Sequence, residues 1–121
     1  MTKRILVVED DEALRRIYAR LLGSCGYSLT LAGCAGEARA LLASASYDLM
    51  ITDYELGDGK GTEIIEAARA GVDGGGSIIM ISGSLETAEM DRLAEHYRLA
   101  GCFPKPFNLE ALLNKISETL S

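Results

Sequence analysis

The feature of this sequence that most restricts its fold is a repeated alternation between short apolar runs and longer segments with helical periodicity. The apolar runs predict five β-strands, at Arg4–Val8, Ser28–Ala32, Leu49–Thr52, Ser77–Ile81 and near Cys102–Pro104. The first and fourth runs are continuously apolar, as expected for central parallel strands that are covered on both faces. The second run alternates polar and apolar residues, which is typical of an edge strand. This pattern predicts an α/β fold.

The segments between and after the strands carry apolar residues at the spacing of one buried helical stripe each. In chain order, the predicted stripes are Leu14, Ile17, Tyr18, Leu21 and Leu22; Ala38, Leu41 and Leu42; Ile64, Ile65 and Ala68; Met90, Leu93, Ala94 and Tyr97; and Leu109, Leu112, Leu113, Ile116 and Leu120. Asn108 is placed to cap the fifth helix. Because 121 residues leave room for one domain, we assign residues 1–121 to a single domain.

A glycine-rich stretch, residues 71–76, lies between the third predicted helix and the fourth predicted strand. A nucleotide-binding glycine loop instead follows a strand and opens a helix, so that helical N–H groups point at the phosphate. We therefore reject a phosphate-binding role for these glycines. We expect a loose, flexible connection at the end of the sheet away from the strands' carboxyl ends.

Composition and charge exclude several classes of function. The formal net charge is −6, and nucleic-acid binding needs a basic face, so we expect no direct contact with nucleic acid. The three cysteines form no CxxC pair and there is one histidine, which argues against a zinc site and favours small, buried or half-buried thiols in a reducing compartment. No apolar run approaches the roughly 20 residues that span a bilayer. We therefore expect a soluble, cytoplasmic protein that does not bind membranes.

Polar side chains follow the first, third, fourth and fifth predicted strands, at the edge where ligands of parallel α/β sheets gather. In chain order they are Glu9-Asp10-Asp11, Asp53, Ser82 and Lys105. Crowded carboxylates repel one another unless a cation joins them. Mg²⁺ prefers one or two carboxylates, with waters and a substrate phosphate completing its octahedron. The sequence therefore predicts a divalent cation site at this edge.

Each of these residues also has an ordinary structural alternative. Asp10 or Asp11 could cap the first helix, and Asp53 could be a turn residue. Ser82 could cap a loop, and Lys105 could be a solvated surface charge. Their joint placement, one group after each relevant strand, favours a shared site over separate coincidences.

Five stretches of the chain, in order and at appropriate separations, resemble the response-regulator receiver family of two-component signalling. They are residues 5–11, 48–53, 56–63, 79–83 and 104–107, which read ILVVEDD, DLMITD, LGDGKGTE, IMISG and PKPF. The resemblance covers essentially the full length. It implies a flavodoxin-like, doubly wound (βα)5 sandwich with a five-stranded parallel sheet of order 2-1-3-4-5. It also implies a signalling phosphoacceptor domain, not an enzyme that acts on other substrates.

The resemblance implies the metal and phosphoryl chemistry residue by residue. Asp53 accepts a phosphoryl group from a phosphohistidine on a histidine kinase or a histidine phosphotransfer protein. Asp10 and Asp11 hold Mg²⁺, directly or through water, together with Asp53 and the backbone carbonyl of Glu55. This assignment agrees with phosphoryl transfer in general, which needs groups in line and positive charge near the equatorial oxygens.

Two further residues complete the implied switch. Lys105 pairs with the phosphoryl oxygens, and the Ser82 hydroxyl bonds one of them after transfer. The Lys105–Pro106 peptide bond is expected to be cis. Movement of Ser82 shifts the fourth helix, fifth strand and fifth helix, here about 86–114, which present the surface for an unidentified output partner.

The sequence departs from the family at three positions. Cys102 stands where the family has its aromatic switch residue, and the neighbouring Phe103 should point to the opposite side of the strand. We therefore hypothesise that output uses the loop and the fourth helix without an aromatic rotamer change. Gly57 replaces a common proline and should make the loop after Asp53 more flexible. Glu55 overlooks the phosphoryl group, where it could repel the donor, orient a water or simply face solvent.

Competing hypotheses come from other functional classes. An unphosphorylated docking module on the same fold would usually lack part of the acid set, which is complete here. A dehalogenase-type phosphatase would have Asp-x-Asp where this chain has Asp53-Tyr54-Glu55, and a flavodoxin would not place Glu9-Asp10-Asp11 in its phosphate loop. We expect a stand-alone regulator or the amino-terminal part of a longer protein, with a receiver from a hybrid kinase as a further option.

Overall fold

The computed structural model describes residues 2–121, apart from the side chains of residues 72 and 73. Within this range the strands are β1 (Arg4–Val8), β2 (Ser28–Ala32), β3 (Leu49–Asp53), β4 (Glu55–Leu56), β5 (Gly59–Lys60), β6 (Ser77–Ser82) and β7 (Gly101–Pro104). The helices are α1 (Glu12–Ser24), α2 (Ala35–Ser44), α3 (Gly61–Ala70), α4 (Thr87–Tyr97) and α5 (Leu109–Leu120), with a short 3-10 helix at Val72–Gly75. Each predicted strand is present, with ends that differ by a residue at most.

Five of these strands form one parallel sheet in the order β2-β1-β3-β6-β7. The other two, β4 and β5, pair antiparallel with each other as a separate hairpin. The hairpin strands have two residues each, too few to carry a periodic pattern, and the sequence did not reveal them. With the hairpin set aside, the sheet has the predicted order 2-1-3-4-5, and the flavodoxin-like fold is confirmed.

Two layers of apolar side chains cover the sheet, because successive residues of a strand point to opposite faces. Leu6 and Met50 belong to the layer that packs against α2, α3 and α4. Val7 and Ile51 belong to the layer that packs against α1 and α5. All four side chains are at most 1% exposed, as predicted for central parallel strands.

The predicted buried stripes are wrong at two positions. Ile17 of α1 is 49% exposed, and Leu109 at the start of α5 is 40% exposed. Both residues lie along the line where α1 and α5 run side by side. The apolar stripe on each of these helices is wider than the strip that touches the sheet, so its outer members face outwards.

The glycine-rich connection between α3 and β6 is contacted by the side chain of Arg69. The Arg69 guanidinium donates from Nη1 to the carbonyl oxygens of Gly74 (2.9 Å) and Gly76 (2.6 Å). From Nη2 it donates to the carbonyl oxygens of Tyr97 (3.1 Å) and Arg98 (3.2 Å) at the end of α4. Gly76 has a φ of 67°, where a Cβ would also clash with a neighbouring backbone carbonyl. These glycines therefore form a tight turn that an arginine holds closed.

Two local predictions are confirmed. The Lys105–Pro106 peptide bond is cis. The Asn108 side chain caps α5 by accepting from the Ala111 N–H at 2.9 Å. The three cysteines are free; Cys34 and Cys102 are half-buried as expected, but Cys25 at the end of α1 is exposed. In the part of the chain that the structure describes, no helix combines the length and apolar character needed to cross a membrane.

Candidate functional site

The carboxyl ends of β1, β3 and β7 bring Glu9, Asp53 and Lys105 into contact. Glu9 directly follows β1, Asp53 is the last residue of β3, and Lys105 directly follows β7. Lys105 Nζ lies 2.8 Å from Glu9 Oε1 and 2.6 Å from Asp53 Oδ2. Glu9 is 2% exposed and Asp53 is 7% exposed. The polar groups expected at this edge thus meet in space, as a lysine that bridges two buried carboxylates.

Asp10 joins Glu9 and Asp53 in an acidic group whose oxygen atoms lie within 4.8 Å of one another. Glu9 Oε2 is buried and has no hydrogen-bond partner among the described residues. Burial raises the pKa of Glu9 to about 7; the hydrogen bond from Lys105 opposes this rise and the neighbouring Asp53 adds to it. Burial disfavours the charged form of Lys105, but its hydrogen bonds to Asp53 and Glu9 raise its pKa. One ammonium among three carboxylates leaves a site whose charge and spare oxygen fit a hard divalent cation.

Asp11 is not brought into this group. It is the exposed N-cap of α1, and its Oδ1 accepts from the N–H groups of Ala13 (2.9 Å) and Leu14 (3.2 Å). Glu9 faces the site instead, because its backbone still continues the strand pairing through an N–H bond to the Ala32 carbonyl at 3.0 Å. The signal that could have separated the acids is the capping rule, which favours an aspartate directly before a helix.

The β4–β5 hairpin ties the acidic group to α2. The Glu55 N–H donates to Asp53 Oδ1 at 3.2 Å, and the Gly57 N–H donates to Asp10 Oδ2 at 3.1 Å. Asp58 accepts from the first two N–H groups of α2 at 2.7 and 3.1 Å, and these hydrogen bonds lower its pKa. The loop after Asp53 therefore makes hydrogen bonds to Asp53, to Asp10 and to the start of α2. The Glu55 side chain is exposed.

Ser82 ends β6 beside this site and is 1% exposed. Its hydroxyl oxygen accepts from the N–H groups of Ser84 (3.2 Å) and Leu85 (3.1 Å). Its carbonyl oxygen accepts from the Lys105 N–H at 2.8 Å. The hydroxyl thus holds the first residues of the loop that leads into α4, next to the strand that carries Lys105.

The family model described as "Response regulator receiver domain" matches residues 5–117 of this chain. The chain belongs to this family. It is a receiver domain, a signalling module of two-component response regulators. This membership excludes the dehalogenase-type and flavodoxin hypotheses, and it confirms the resemblance carried by the five sequence stretches.

Individual relatives agree with this assignment of the receiver domain. Response regulator MprA of Mycobacterium tuberculosis is 34% identical over 99% of this chain and 51% of its own length. The receiver domain thus spans about half the length of the curated relatives it matches first. Among solved structures, the non-phosphorylated HemR receiver domain of Leptospira biflexa has a TM-score of 0.89 and 28% identity, covering 99% of this chain and 95% of that one. A CheY-like receiver domain protein of Methanospirillum hungatei has a TM-score of 0.89 and 32% identity, with coverages of 99% and 94%.

The receiver domain carries Cys102 and Phe103 on opposite faces of β7, as predicted. Cys102 is half-buried in the layer that includes Leu93 and Tyr97 of α4, whereas Phe103 packs in the layer of α1 and α5. Burial raises the pKa of the Cys102 thiol to about 11. At the family's aromatic position, this receiver domain therefore presents a small neutral thiol to α4.

Proposed function

We propose that this receiver domain, with residues 1–121 as one unit, accepts a phosphoryl group on Asp53 from a histidine kinase or a histidine phosphotransfer protein. The observation that carries this function is the contact of Asp53 with Lys105, beside a buried Glu9 oxygen that has no partner among the described residues. A buried carboxylate oxygen without a partner is costly unless a proton or a cation completes it. The site is therefore built to be completed by a ligand.

Mg²⁺ is the cation that suits this donor set. Glu9, Asp10 and Asp53 supply carboxylate oxygens, and the backbone carbonyl of Glu55 supplies a further protein oxygen. Glu9 takes the role that the sequence assigned to Asp11, because the Asp11 carboxylate is used by the cap of α1. When bound, the ion supplies positive charge against the oxygens of the transferring phosphoryl group.

Asp53 supplies the attacking oxygen of the transfer. The phosphorus–nitrogen bond of the donor histidine breaks as the phosphorus–oxygen bond to Asp53 forms, and the donor imidazole keeps the electron pair. Lys105 already lies against Asp53, so its ammonium is placed to offset charge on the equatorial phosphoryl oxygens. The same lysine holds the nucleophile in one orientation until the donor arrives.

The Ser82 hydroxyl links phosphorylation to the output surface. A phosphoryl group adds about −1.5 to −2 of charge and three acceptor oxygens, so the hydroxyl turns to donate to one of them. Ser82 then gives up its bonds to Ser84 and Leu85, which releases the start of the loop into α4. The surface of α4, β7 and α5 changes as a result, and an output partner reads this change.

The remaining properties follow from the same function. The domain promotes only its own phosphorylation and dephosphorylation. It works in the cytoplasm, where three free thiols are kept reduced. With a net charge of −6 the domain does not bind nucleic acid directly, and its output partner is unidentified.

The decisive experiment is intact-mass measurement after incubation with acetyl phosphate and Mg²⁺, with Asp53→Ala as the control. We expect one added phosphoryl group in the wild type, no addition without Mg²⁺, and none in the variant. An adduct that persists in Asp53→Ala would contradict the assignment of the acceptor. No adduct in the wild type, with Mg²⁺ binding intact, would favour the unphosphorylated docking module instead.

A further inference from the structure

The Asp10 carboxylate is held by a residue distant in sequence. Asp10 is exposed, and its Oδ2 accepts from the Gly57 N–H at 3.1 Å. No other hydrogen bond to this carboxylate occurs within the described part of the chain. An exposed aspartate without such a donor would sample several rotamers, and a metal ion would have to order it on binding.

The residue after Gly57 anchors this donor to a rigid helix. The two carboxylate oxygens of Asp58 accept from the N–H groups of Ala35 (2.7 Å) and Gly36 (3.1 Å), which open α2. These N–H groups have no partner inside the helix, and the positive end of the helix dipole favours a carboxylate there. The first residue of α2 is itself fully buried in the core. Asp58 therefore fixes the corner of the hairpin against a part of the fold that does not move easily.

Two further contacts complete the attachment of the hairpin. Leu56 is 8% exposed and belongs to the apolar layer of α2 and α3. The strands β4 and β5 pair Glu55 with Lys60 and Leu56 with Gly59, so the corner between them is closed on itself. The Gly57 N–H thus donates to Asp10 from a corner that is attached on one side by Leu56 in the apolar layer and on the other by Asp58 at the start of α2.

We propose that the corner formed by Gly57 and Asp58 is a positioning device that holds Asp10 ready for Mg²⁺ and so sets the affinity of the acidic site for the ion. This inference rests on the proposed function, in which Asp10 is a magnesium ligand. Gly57 acts through its backbone N–H and Asp58 acts through its contacts with α2, and neither residue is a ligand of the ion. Partners of this kind typically change metal affinity by about 10- to 100-fold when they are removed.

Gly57→Pro and Gly57→Ala form a matched pair that tests the N–H. Proline has no N–H, whereas alanine keeps it. An added Cβ at Gly57 would lie 3.7 Å from Asp10 Oδ2, an ordinary contact, so alanine fits. Isothermal titration of the full chain with MgCl₂ should give a dissociation constant roughly 10-fold weaker for the proline variant than for the alanine variant.

Asp58→Ala tests the anchor without altering the N–H donor. We expect weaker Mg²⁺ binding, with Asp58→Asn intermediate because its side-chain oxygen can still accept one N–H. The Mg²⁺ concentration that gives half the maximal phosphorylation rate should rise by the same factor in each variant, while the rate at saturating Mg²⁺ stays unchanged. Denaturation in EDTA reports any loss of stability separately from this shift.

Equal Mg²⁺ affinity in the proline and alanine variants would overturn the positioning role, as would tighter binding by the proline variant, which would mean that the hydrogen bond competes with the ion. Should Gly57→Pro not fold, unchanged affinity in Asp58→Ala would overturn it equally. A wild type that binds no Mg²⁺ would instead contradict the proposed function itself. The two failures are therefore distinguishable.

Discussion

The two ends of the central sheet treat their polar groups in opposite ways. At the amino end, the Arg4 N–H donates to Asp48 at 2.7 Å, and the Arg69 guanidinium spreads its donors over four backbone carbonyls. At the carboxyl end, three carboxylates lie close together, two of them contact the Lys105 ammonium, and a buried Glu9 oxygen is without a partner among the described residues. The amino end satisfies its hydrogen bonds internally, whereas the carboxyl end is left incomplete.

This difference locates the functional site more clearly than the size of a surface cavity does. A broad surface depression, lined in part by Arg4, Tyr47 and Asp48, lies at the amino end, away from the acidic group. The carboxyl end instead concentrates the unbalanced charge. Chemistry in a parallel α/β sheet belongs at the carboxyl ends of the strands. The site in this protein is marked by a carboxylate oxygen without a hydrogen-bond partner among the described residues, and not by the volume of a surface depression.

The largest expected effect is on catalysis at the incomplete end. Lys105→Gln removes the ammonium that faces Asp53, and loss of one such charge-stabilising group typically slows a reaction by about 10²- to 10³-fold. The rate of phosphorylation by acetyl phosphate, followed by intact mass, should fall by that order. Lys115→Gln is the matched control, since among the described residues Lys115 pairs with Glu118 alone, on the surface of α5. Equal rates in both variants would remove Lys105 from the mechanism.

The next largest expected effect is a loss of stability at the amino end of the sheet, where the polar groups are hydrogen-bonded within the protein. Arg69→Ala leaves four carbonyl oxygens without their donor, so the free energy of unfolding should fall by about 3–4 kcal/mol. Urea denaturation measures this loss. Arg69→Lys should be intermediate, because a single ammonium does not reach all four oxygens at once. Mg²⁺ affinity should stay the same in both variants; a large change would mean that the two ends are coupled.

Glu9→Gln should remove a pH dependence that originates at the incomplete end. The pKa of Glu9 is about 7 in the folded chain against an ordinary value of 4.5, so between these values the folded state binds the proton more tightly than the unfolded state. Without Mg²⁺, the free energy of unfolding of the wild type should therefore fall as pH rises through this window, by up to about 3 kcal/mol. The variant should show a flatter profile in urea denaturation. Identical slopes in the two proteins would show that Glu9 titrates as it does in the unfolded chain.

The smallest expected effect concerns Glu55. Its side chain is exposed, and only its N–H contacts Asp53. Glu55→Ala keeps that N–H, so the lifetime of the phosphorylated protein should be unchanged. A longer lifetime in the variant would indicate that the carboxylate orients a hydrolytic water. Glu55 would then be a functional residue of the site.

Much of the fold could be predicted from local patterns. Continuous apolar runs identified the central strands, and the helical stripes located all five helices. The stripes failed at Ile17 and Leu109, because periodicity reports which residues share a face but not how much of that face a neighbour covers. The short hairpin after Asp53 was missed because two-residue strands are defined by their pairing, which periodicity does not encode.

The sequence by itself located the strands and predicted that Asp53, Ser82 and Lys105 gather at one edge, because each of these residues lies at or directly after the end of a strand. The strand order was implied by the resemblance to the receiver family, and the structure confirms it. Only the tertiary structure showed that Glu9, and not Asp11, lies in the acidic group with Asp10 and Asp53. The choice depends on where strand pairing stops and the α1 cap begins, and that boundary is set by a bond from Glu9 to the neighbouring strand β2. The hold of Gly57 on Asp10 likewise spans 47 residues of sequence. Contacts of this kind are properties of the packed chain, since no local pattern specifies which distant backbone group will lie opposite a given side chain.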